Sequence, residues 1–289
     1  MEEFKFIEPM KAKLSDVEFL SRVDNDTRWA AGEKFDGYRE QLHLGRTSNE
    51  LFSSAGNSHI ARVPQFNIVV PELAGTVLDC EGMAPTRRLE DNATCFRSGG
   101  ATDWQKQHGQ AFLVAFDLLQ HKGRDMMHLP FVERRFYLER VIGELIVGYG
   151  WQHIRKEKLV REDKLSYFQA IVARSVEEGH EGVILKDMTA LYQPCRRGNA
   201  WLKVKRFERL EYEIVGFEQG SGKYSELVGA VVYGKDGNAI GSASGMSDDE
   251  RIMMTARPEE YIGRVGMFEC QEVTSYGCMR HPRWIGLKK

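Results

Sequence analysis

The character of the sequence changes near residue 210, and this change constrains the possible folds more than any other feature. Before it, long apolar runs alternate with helical periodicity, whereas short β-prone runs punctuated by Gly, Asp and Asn follow it. A series of short strands separated by turn residues is typical of a small β-barrel. We therefore predict two domains, residues 1–209 and 210–289, and a chain of 289 residues is long enough for both.

The residues around position 36 predict a tight reversal of the chain. Two half-apolar runs flank Asp36-Gly37, and an Asp-Gly pair is a strong signal for a two-residue turn. We therefore predict a β-hairpin over residues 28–45, with Lys34 just before the turn. Taken alone, Lys34 is more often a surface lysine, and Asp36 is best explained by the turn.

The rest of the first domain alternates between strand and helix patterns. Apolar runs indicate strands over residues 76–84, 111–119, 182–187 and 200–206. A short helix is the alternative for the second of these stretches. Pro130 opens one helix, and another is predicted from about Lys164 to Glu178 with Asp163 as its N-cap.

Composition argues against several classes of protein. No run of about 18 apolar residues could cross a membrane, and the charged N-terminus MEEFKFIEPM lacks the apolar centre of a signal peptide. Five cysteines without a C-x-x-C pair, and eight histidines without ligand spacing, argue against a disulfide framework and a zinc site. A cytoplasmic protein without a membrane partner is expected.

Positive charge is concentrated in two places although the net charge is −2. Residues 186–209 carry seven basic side chains against two acidic ones, and the last ten residues carry four lysines and arginines and no acid. Local basic patches on a neutral body suit phosphate binding at defined places. From charge alone, a solvated face is the favoured explanation.

Strand alternation sorts the charged residues into faces, because successive side chains of a strand point in opposite directions. Lys203 and Lys205 share one face of their strand, and Asp79 and Glu81 share one face of theirs. Lysines that offset phosphate charge, together with carboxylates that hold hydrated Mg²⁺, are what binding of a polyphosphate requires. Each piece alone is equally compatible with an exposed sheet face.

The order of the charged motifs along the chain resembles that of the covalent nucleotidyltransferase superfamily. Within it, the chain is similar to ATP-dependent DNA ligases of minimal size, and the resemblance covers nearly the whole sequence. The motifs that carry it are Glu8-Pro9-Met10-Lys11-Ala12, Lys34-Phe35-Asp36-Gly37-Tyr38-Arg39, Leu78-Asp79-Cys80-Glu81, Phe116-Asp117-Leu118-Leu119, Glu181-Gly182-Val183-Ile184-Leu185-Lys186, Trp201-Leu202-Lys203-Val204-Lys205, the stretch from Gly241 to Arg251, and Arg280-His281-Pro282-Arg283-Trp284.

The resemblance implies both a fold and an activity. The fold is α+β: a nucleotidyltransferase (adenylation) domain with antiparallel sheets and flanking helices, followed by a small OB-fold β-barrel. The activity is the sealing of nicks in duplex DNA. A lysine takes AMP from ATP, the AMP moves to the 5′-phosphate of the nick, and the 3′-hydroxyl then displaces it. ATP and Mg²⁺ are implied, with Mn²⁺ as an expected substitute, and the expected partner is nicked duplex DNA bound by a monomer without an obligate protein partner.

Catalytic roles follow from the motif positions. Lys34 is the implied nucleophile, and Asp36 orients it or the ribose. Glu181 holds a metal ion, whereas Lys203 and Lys205 bind the α-phosphate. Neighbouring cations favour the neutral lysine amine that must attack phosphorus.

Further positions are implied to bind ligands. Arg39 contacts the nucleotide or the 5′-phosphate of the nick, Glu81 the ribose or a metal ion, and Lys186 a phosphate. Phe116 stacks on adenine, with a place in the core as a nearly equal alternative. Near the C-terminus, two arginines are implied to contact DNA, and the second also the β- and γ-phosphates of ATP during the first step: Arg280 and Arg283.

Departures from the family pattern remain at Gly32, at Ser54 and in the shortened C-terminal motif, where Gly286 stands in the place of a frequent arginine, and two alternative functions stay open. Gly32 stands where many relatives have a glutamate, so the choice of nucleotide depends on whether main-chain groups or that side chain read the base. Ser54 stands where many relatives have an arginine. The alternatives are an RNA ligase or capping-type nucleotidyltransferase with the same chemistry, and a non-enzymatic protein that binds nicks or ends.

Overall fold

The chain divides into two units, Met1–Lys205 and Arg206–Lys289. This computed structural model describes residues 3–178, 182–205, 207–270, 272–273 and 278–288, without the side chains of 175–178 and 272. In the described residues no helix is long and apolar enough to cross a membrane.

The first unit is built from strands and helices that alternate along the chain. The strands are β1 (Lys11–Ser15), β2 (Trp29–Lys34), β3 (Tyr38–Leu44), β4 (Glu50–Ser53), β5 (Thr76–Met83), β6 (Phe112–His121), β7 (Arg124–Asp125), β8 (Ile154–Lys156), β9 (Leu159–Val160), β10 (Gly182–Asp187) and β11 (Arg197–Lys205). The helices are α1 (Val17–Arg22), α2 (Leu89–Arg97), α3 (Ala101–His108), α4 (Phe131–Gly143) and α5 (Lys164–Glu178).

These strands form two mainly antiparallel sheets. The first has the order β1-β11-β10-β2-β9, and the second has the order β4-β3-β5-β6-β7 with β8 paired to β6. Buried side chains from both sheets pack together in one cluster, including Val77 and Phe116 from the second sheet and Trp201 from the first. The predicted α+β class with antiparallel sheets is confirmed, and so are the strands beginning near residues 76, 111, 182 and 200.

The predicted hairpin over residues 28–45 is wrong. β2 pairs with β10 and β9, whereas β3 pairs with β4 and β5, so the chain passes from one sheet to the other between Lys34 and Tyr38. Gly37 is needed for close approach of the backbone, because a Cβ atom there would lie 2.5 Å from the carbonyl oxygen of Gly82. The Asp-Gly pair therefore marks a crossing between sheets, which uses the same small residue as a tight turn.

Helices α4 and α5 occupy the predicted ranges, but the start of α5 differs in detail. Asp163 has a left-handed backbone, with φ of 51°. The backbone amide of Leu165 donates to the carboxylate of Asp24 at 2.6 Å. A side chain from a distant part of the chain therefore caps a donor that the helix itself leaves unpaired.

The second unit is a curved sheet with one helix inserted. Its elements are β12 (Glu208–Gln219), β13 (Val228–Lys235), β14 (Asn238–Ala243), α6 (Asp248–Ala256), β15 (Val265–Cys270), β16 (Glu272–Val273), β17 (Met279–Arg280) and β18 (Arg283–Leu287). The main sheet has the order β14-β13-β12-β15-β18, and its core includes Tyr233, Phe268 and Trp284. Ser247 and Glu250 form a capping box at the start of α6, which stabilises that helix end.

Candidate active site

A pocket lies between the two sheets of the first unit. Strands of both sheets contribute to it, together with the segments that follow β2 and β8. The lining residues are Ala12, Glu33, Lys34, Phe35, Arg39, Glu81, Phe116, Glu157, Ile184, Lys186 and Trp201. Five residues predicted from the sequence therefore line one cavity: Lys34, Arg39, Glu81, Phe116 and Lys186.

Lys34 ends β2 and shares a row of the sheet with a second lysine. Gly182 pairs with Lys34 on one side and with Lys205 on the other. Residues directly opposite each other in a sheet project from the same face. A Cβ atom at Gly182 would lie 2.2 Å from the carbonyl oxygen of Val204, so only glycine fits between the two lysines.

Lys203 lies in the neighbouring row of the same sheet. It pairs with Ile184, which pairs with Gly32. Because Ile184 lines the pocket, Lys203 projects from the pocket face of β11. Leu202 and Val204 are buried on the other face, in a separate core cluster. The predicted division of this strand into a lysine face and an apolar face is therefore confirmed.

Arg39 is held rigidly at the pocket wall by a buried carboxylate. Its guanidinium donates two hydrogen bonds to Asp79, at 3.0 and 2.6 Å, and lies 5.4 Å from the ring centre of Phe116 and 5.5 Å from that of Trp201. Burial opposes its charge, but Asp79 outweighs burial and raises the pKa of Arg39. This cation therefore stays charged and oriented before any ligand arrives.

Glu81 lies on β5, two residues after Asp79, and lines the pocket. Burial raises the pKa of Glu81 to about 8, although the nearby Lys34 and Arg39 act in the opposite direction. The cost of burying a carboxylate is responsible for such a rise. A ligand that carries positive charge would therefore favour the ionised form of Glu81.

Lys186 forms a buried ion pair with a residue that sequence reasoning did not select. Its Nζ atom lies 2.5 Å from a carboxylate oxygen of Glu157, and each side chain is 2% exposed. Burial raises the pKa of Glu157 and lowers that of Lys186. The ammonium also lies 4.8 Å from the ring centre of Phe116 and 5.0 Å from that of Trp201.

Other predicted residues lie outside the pocket lining. Asp36 follows β2, and its carbonyl oxygen accepts a hydrogen bond of 2.8 Å from Asn92. Glu181 lies outside the residues that the structure describes. Arg280 and Arg283 belong to the second unit, where Arg283 begins β18 and is exposed.

Phe116 fits both interpretations made from the sequence. It is 9% exposed and packs in the core cluster with Trp201, yet it also lines the pocket. Trp201 belongs to a motif named from the sequence, but its position in the lining of the pocket was not predicted. Glu157 lies in the charge-rich stretch RKEKLVRED, which offers no signal that this one carboxylate is buried.

The pocket offers oxygen ligands suited to a nucleotide-bound Mg²⁺ ion. Among the described residues, no group of three or more His, Cys, Asp or Glu side chains could hold a metal by itself. Mg²⁺ in nucleotide sites is usually bound by one or two carboxylates together with phosphate oxygens. Glu81, which lines the same cavity as Lys34, fits that requirement.

Solved structures share this fold. A Lig E DNA ligase aligns with a TM-score of 0.72 at 20% identity, over 98% of this chain and all of that one. A mycobacterial DNA ligase D, solved with ATP, aligns with a TM-score of 0.56 at 24% identity, over 99% of this chain and 96% of that one. The two-sheet unit is thus the nucleotidyltransferase fold of ligases.

Sequence comparison then defines the family. The family description "ATP dependent DNA ligase domain" matches residues 9–205, and the chain belongs to this family. The DNA ligase of Natronomonas pharaonis is 27% identical over 97% of this chain and 55% of its own length. The end-joining protein LigD of Mycolicibacterium smegmatis is 28% identical over 90% of this chain and 36% of its own. The chain spans about half the length of the first of these curated relatives.

Proposed function

We propose that the chain is an ATP-dependent DNA ligase that seals nicks between a 5′-phosphate and a 3′-hydroxyl in duplex DNA. The observation that carries this proposal is the position of Lys34. It ends a strand inside the pocket, in a sheet row with Lys205, within the segment that matches the ligase family. The reaction proceeds through a lysyl-AMP and a DNA-adenylate.

In the first step, the neutral amine of Lys34 attacks the α-phosphorus of ATP. A phosphorus–nitrogen bond forms, the bond to pyrophosphate breaks, and the amine proton passes to solvent. Lys203 and Lys205 bind the α-phosphate, since fixed cations stabilise the charge of a phosphoryl-transfer transition state. Asp36 orients Lys34 or the ribose, and Arg39 contacts the nucleotide or the nick.

In the second step, the 5′-phosphate of the nick attacks the AMP phosphorus, and Lys34 leaves and regains a proton. In the third, the 3′-hydroxyl attacks the 5′-phosphate and AMP departs. The same cations face phosphate throughout, so one pocket serves all three steps. Glu81 and Glu181 would hold Mg²⁺, or Mn²⁺ in its place, and the bound metal would offset phosphate charge.

The second domain, residues 210–289, completes the ligase as an OB-fold barrel. This proposal is supported by the closure of its sheet, because Ser244 after β14 bridges to Arg283 on β18. Arg280 and Arg283 contact DNA, and Arg283 also meets the β- and γ-phosphates of ATP in the first step. The enzyme acts in the cytoplasm as a monomer on nicked duplex DNA.

Substitution of Lys34 tests the proposal. Lys34→Ala and Lys34→Arg should abolish transfer of label from α-³²P-ATP to the protein, because neither side chain offers a neutral amine. Both variants should still seal a nick that already carries AMP. Lys106→Ala is the control, since Lys106 is exposed and pairs with Asp103 on a surface helix.

The alternatives have distinct outcomes in the same assays. Label accepted from GTP, or sealing of RNA nicks in preference to DNA nicks, would favour an RNA ligase or capping-type enzyme. Nick binding by a wild-type protein that never becomes labelled would favour a binding protein. A labelled Lys34→Ala protein would show that another residue is the nucleophile.

A further inference from the structure

Position 32 has no side chain because a carboxylate from elsewhere in the chain fills that space. A Cβ atom on Gly32 would lie 2.0 Å from Oε1 and 2.6 Å from Cδ of Glu157. Gly32 lies inside β2 and pairs with Ile184 and Leu159 in ordinary antiparallel register. Contact, and not backbone conformation, therefore excludes larger residues here.

Glu157 is held in this position from several sides. Its backbone amide donates to the carbonyl oxygen of Ala115 at 2.9 Å, and its own carbonyl accepts from the guanidinium of Arg135. Its carboxylate pairs with Lys186, and the pair is almost fully buried. A charge fixed by its backbone and by a buried partner is preorganised for recognition.

The surroundings of this pair contain the kinds of group that bind a purine base. The aromatic rings of Phe116 and Trp201 line the same pocket, and aromatic side chains are groups on which a base can stack. At the same place, the carboxylate of Glu157 can accept hydrogen bonds and the ammonium of Lys186 can donate them. Adenine presents the complementary pair, an amino group that donates and a ring nitrogen that accepts.

We propose that Glu157 determines the base specificity of the enzyme, by accepting a hydrogen bond from the amino group of adenine in place of a side chain at position 32. This inference rests on the proposed function, because it assumes that the pocket binds ATP. Glu157 approaches the base from the segment after β8, whereas a residue at position 32 would approach from β2 itself. Lys34 lies two residues further along β2, and its position does not depend on whether Glu157 or a residue at position 32 contacts the base.

Nucleotide analogues test the inference. Wild-type protein should form the labelled adduct from ATP about 10- to 100-fold faster than from purine riboside triphosphate, which lacks the amino group, because a charged acceptor would lose its hydrogen bond. Glu157→Gln should reduce this ratio by about tenfold. Lys205→Ala is the matched control: it should slow both nucleotides alike and leave the ratio unchanged, because it acts on phosphate.

A reciprocal exchange keeps the test decisive if Glu157→Gln does not fold. Gly32→Glu alone should lose adduct formation, because two side chains compete for one space. Gly32→Glu combined with Glu157→Gly should recover adduct formation and preference for ATP. A ratio that Glu157→Gln leaves unchanged, or a Gly32→Glu protein with wild-type activity, would overturn the inference. Failure of wild-type protein to take label from ATP would instead reject the proposed function.

Discussion

The two units of this protein differ in their ion pairs, because the first unit combines buried pairs with exposed ones, whereas the pairs described in the second unit lie at the surface. Three ion pairs of the first unit are buried. The exposed fractions of the two side chains are 0 and 0% for Arg134–Asp117, 2 and 2% for Lys186–Glu157, and 19 and 0% for Arg39–Asp79. In the second unit, pairs lie at the surface, with exposed fractions of 51 and 49% and of 58 and 50%: Lys288–Glu211 and Arg257–Glu260.

This difference separates two uses of charge. Buried pairs contribute little net stability, but they fix the orientation of the groups that take part, and breaking one leaves an uncompensated charge. Exposed pairs are screened by salt and contribute little to stability. The buried pairs of the first unit therefore hold charged groups in one geometry, whereas the exposed pairs of the second unit can be broken at little cost.

The largest expected effect concerns the stability of the buried pairs. Arg134→Met should lower the free energy of unfolding by about 3–5 kcal/mol, because it leaves the carboxylate of Asp117 buried alone. Lys288→Ala should cost at most about 1 kcal/mol. Urea unfolding monitored by circular dichroism measures both.

Lys106→Ala tests whether the stability cost of losing an ion pair depends on its burial or on the unit in which it lies. Lys106 belongs to the first unit, but it and its partner Asp103 are 74 and 75% exposed. We expect this variant to behave like Lys288→Ala. If it instead costs as much as Arg134→Met, the contrast between the units does not come from burial.

An intermediate effect is expected at the start of β18 in the second unit. If Arg283 contacts the leaving pyrophosphate, Arg283→Ala should slow self-adenylation about 10- to 100-fold. This factor corresponds to the loss of one hydrogen bond between charged groups. Sealing of a nick that already carries AMP should change much less, because no pyrophosphate is present. Single-turnover rates of the two reactions provide the comparison.

Arg257→Ala is the matched control for this prediction. Arg257 is an exposed arginine of the same unit that pairs with Glu260. It should leave both rates unchanged. An equal loss of both reactions in Arg283→Ala would assign this arginine to DNA binding in every step, and no loss in either would assign it to solubility.

The last expected effect is spread over several pH units, because it is a pH dependence of stability that originates at Glu81. Its pKa of about 8 in the folded protein lies above its ordinary value of 4.5, so the folded state binds an extra proton between these pH values. The free energy of unfolding contributed by Glu81 therefore decreases as pH rises through that window, by at most about 1.4 kcal/mol per pH unit. Glu81→Gln should remove this dependence.

The measurement is the difference in unfolding free energy between Glu81→Gln and the ligand-free wild type across that pH range. Asp103→Asn is the control, because Asp103 is exposed and its pKa is lowered by Lys106. Its difference from wild type should stay flat across most of the window. A flat difference for Glu81→Gln as well would mean that burial does not penalise the Glu81 carboxylate.

The residues that line the pocket were partly predictable. Lys34, Arg39, Glu81, Phe116 and Lys186 could be selected because strand alternation and motif order depend on short stretches of sequence, and the structure brings these five together. Their individual roles stay predictions. Glu157 could not be selected, since its importance comes from contact with Gly32 and Lys186, which lie far from it in the sequence.

The sequence by itself indicated the strands β5, β6, β10 and β11 of the first unit and the face of β11 that carries the lysines. Backbone geometry sets the two-residue period of a strand locally, so Lys203 and Lys205 had to project from the face opposite Leu202 and Val204. That inference needed no information about distant residues. The family motifs are likewise short stretches that can be found from the sequence alone.

Only the tertiary structure decided which strands became neighbours. The Asp36-Gly37 pair reads locally as a turn, yet β2 and β3 enter different sheets, because each finds partners from distant segments. The same long-range pairing brings the carboxylate of Glu157 against Gly32. Register between distant strands depends on the packing of the whole unit, and no short stretch of the chain encodes it.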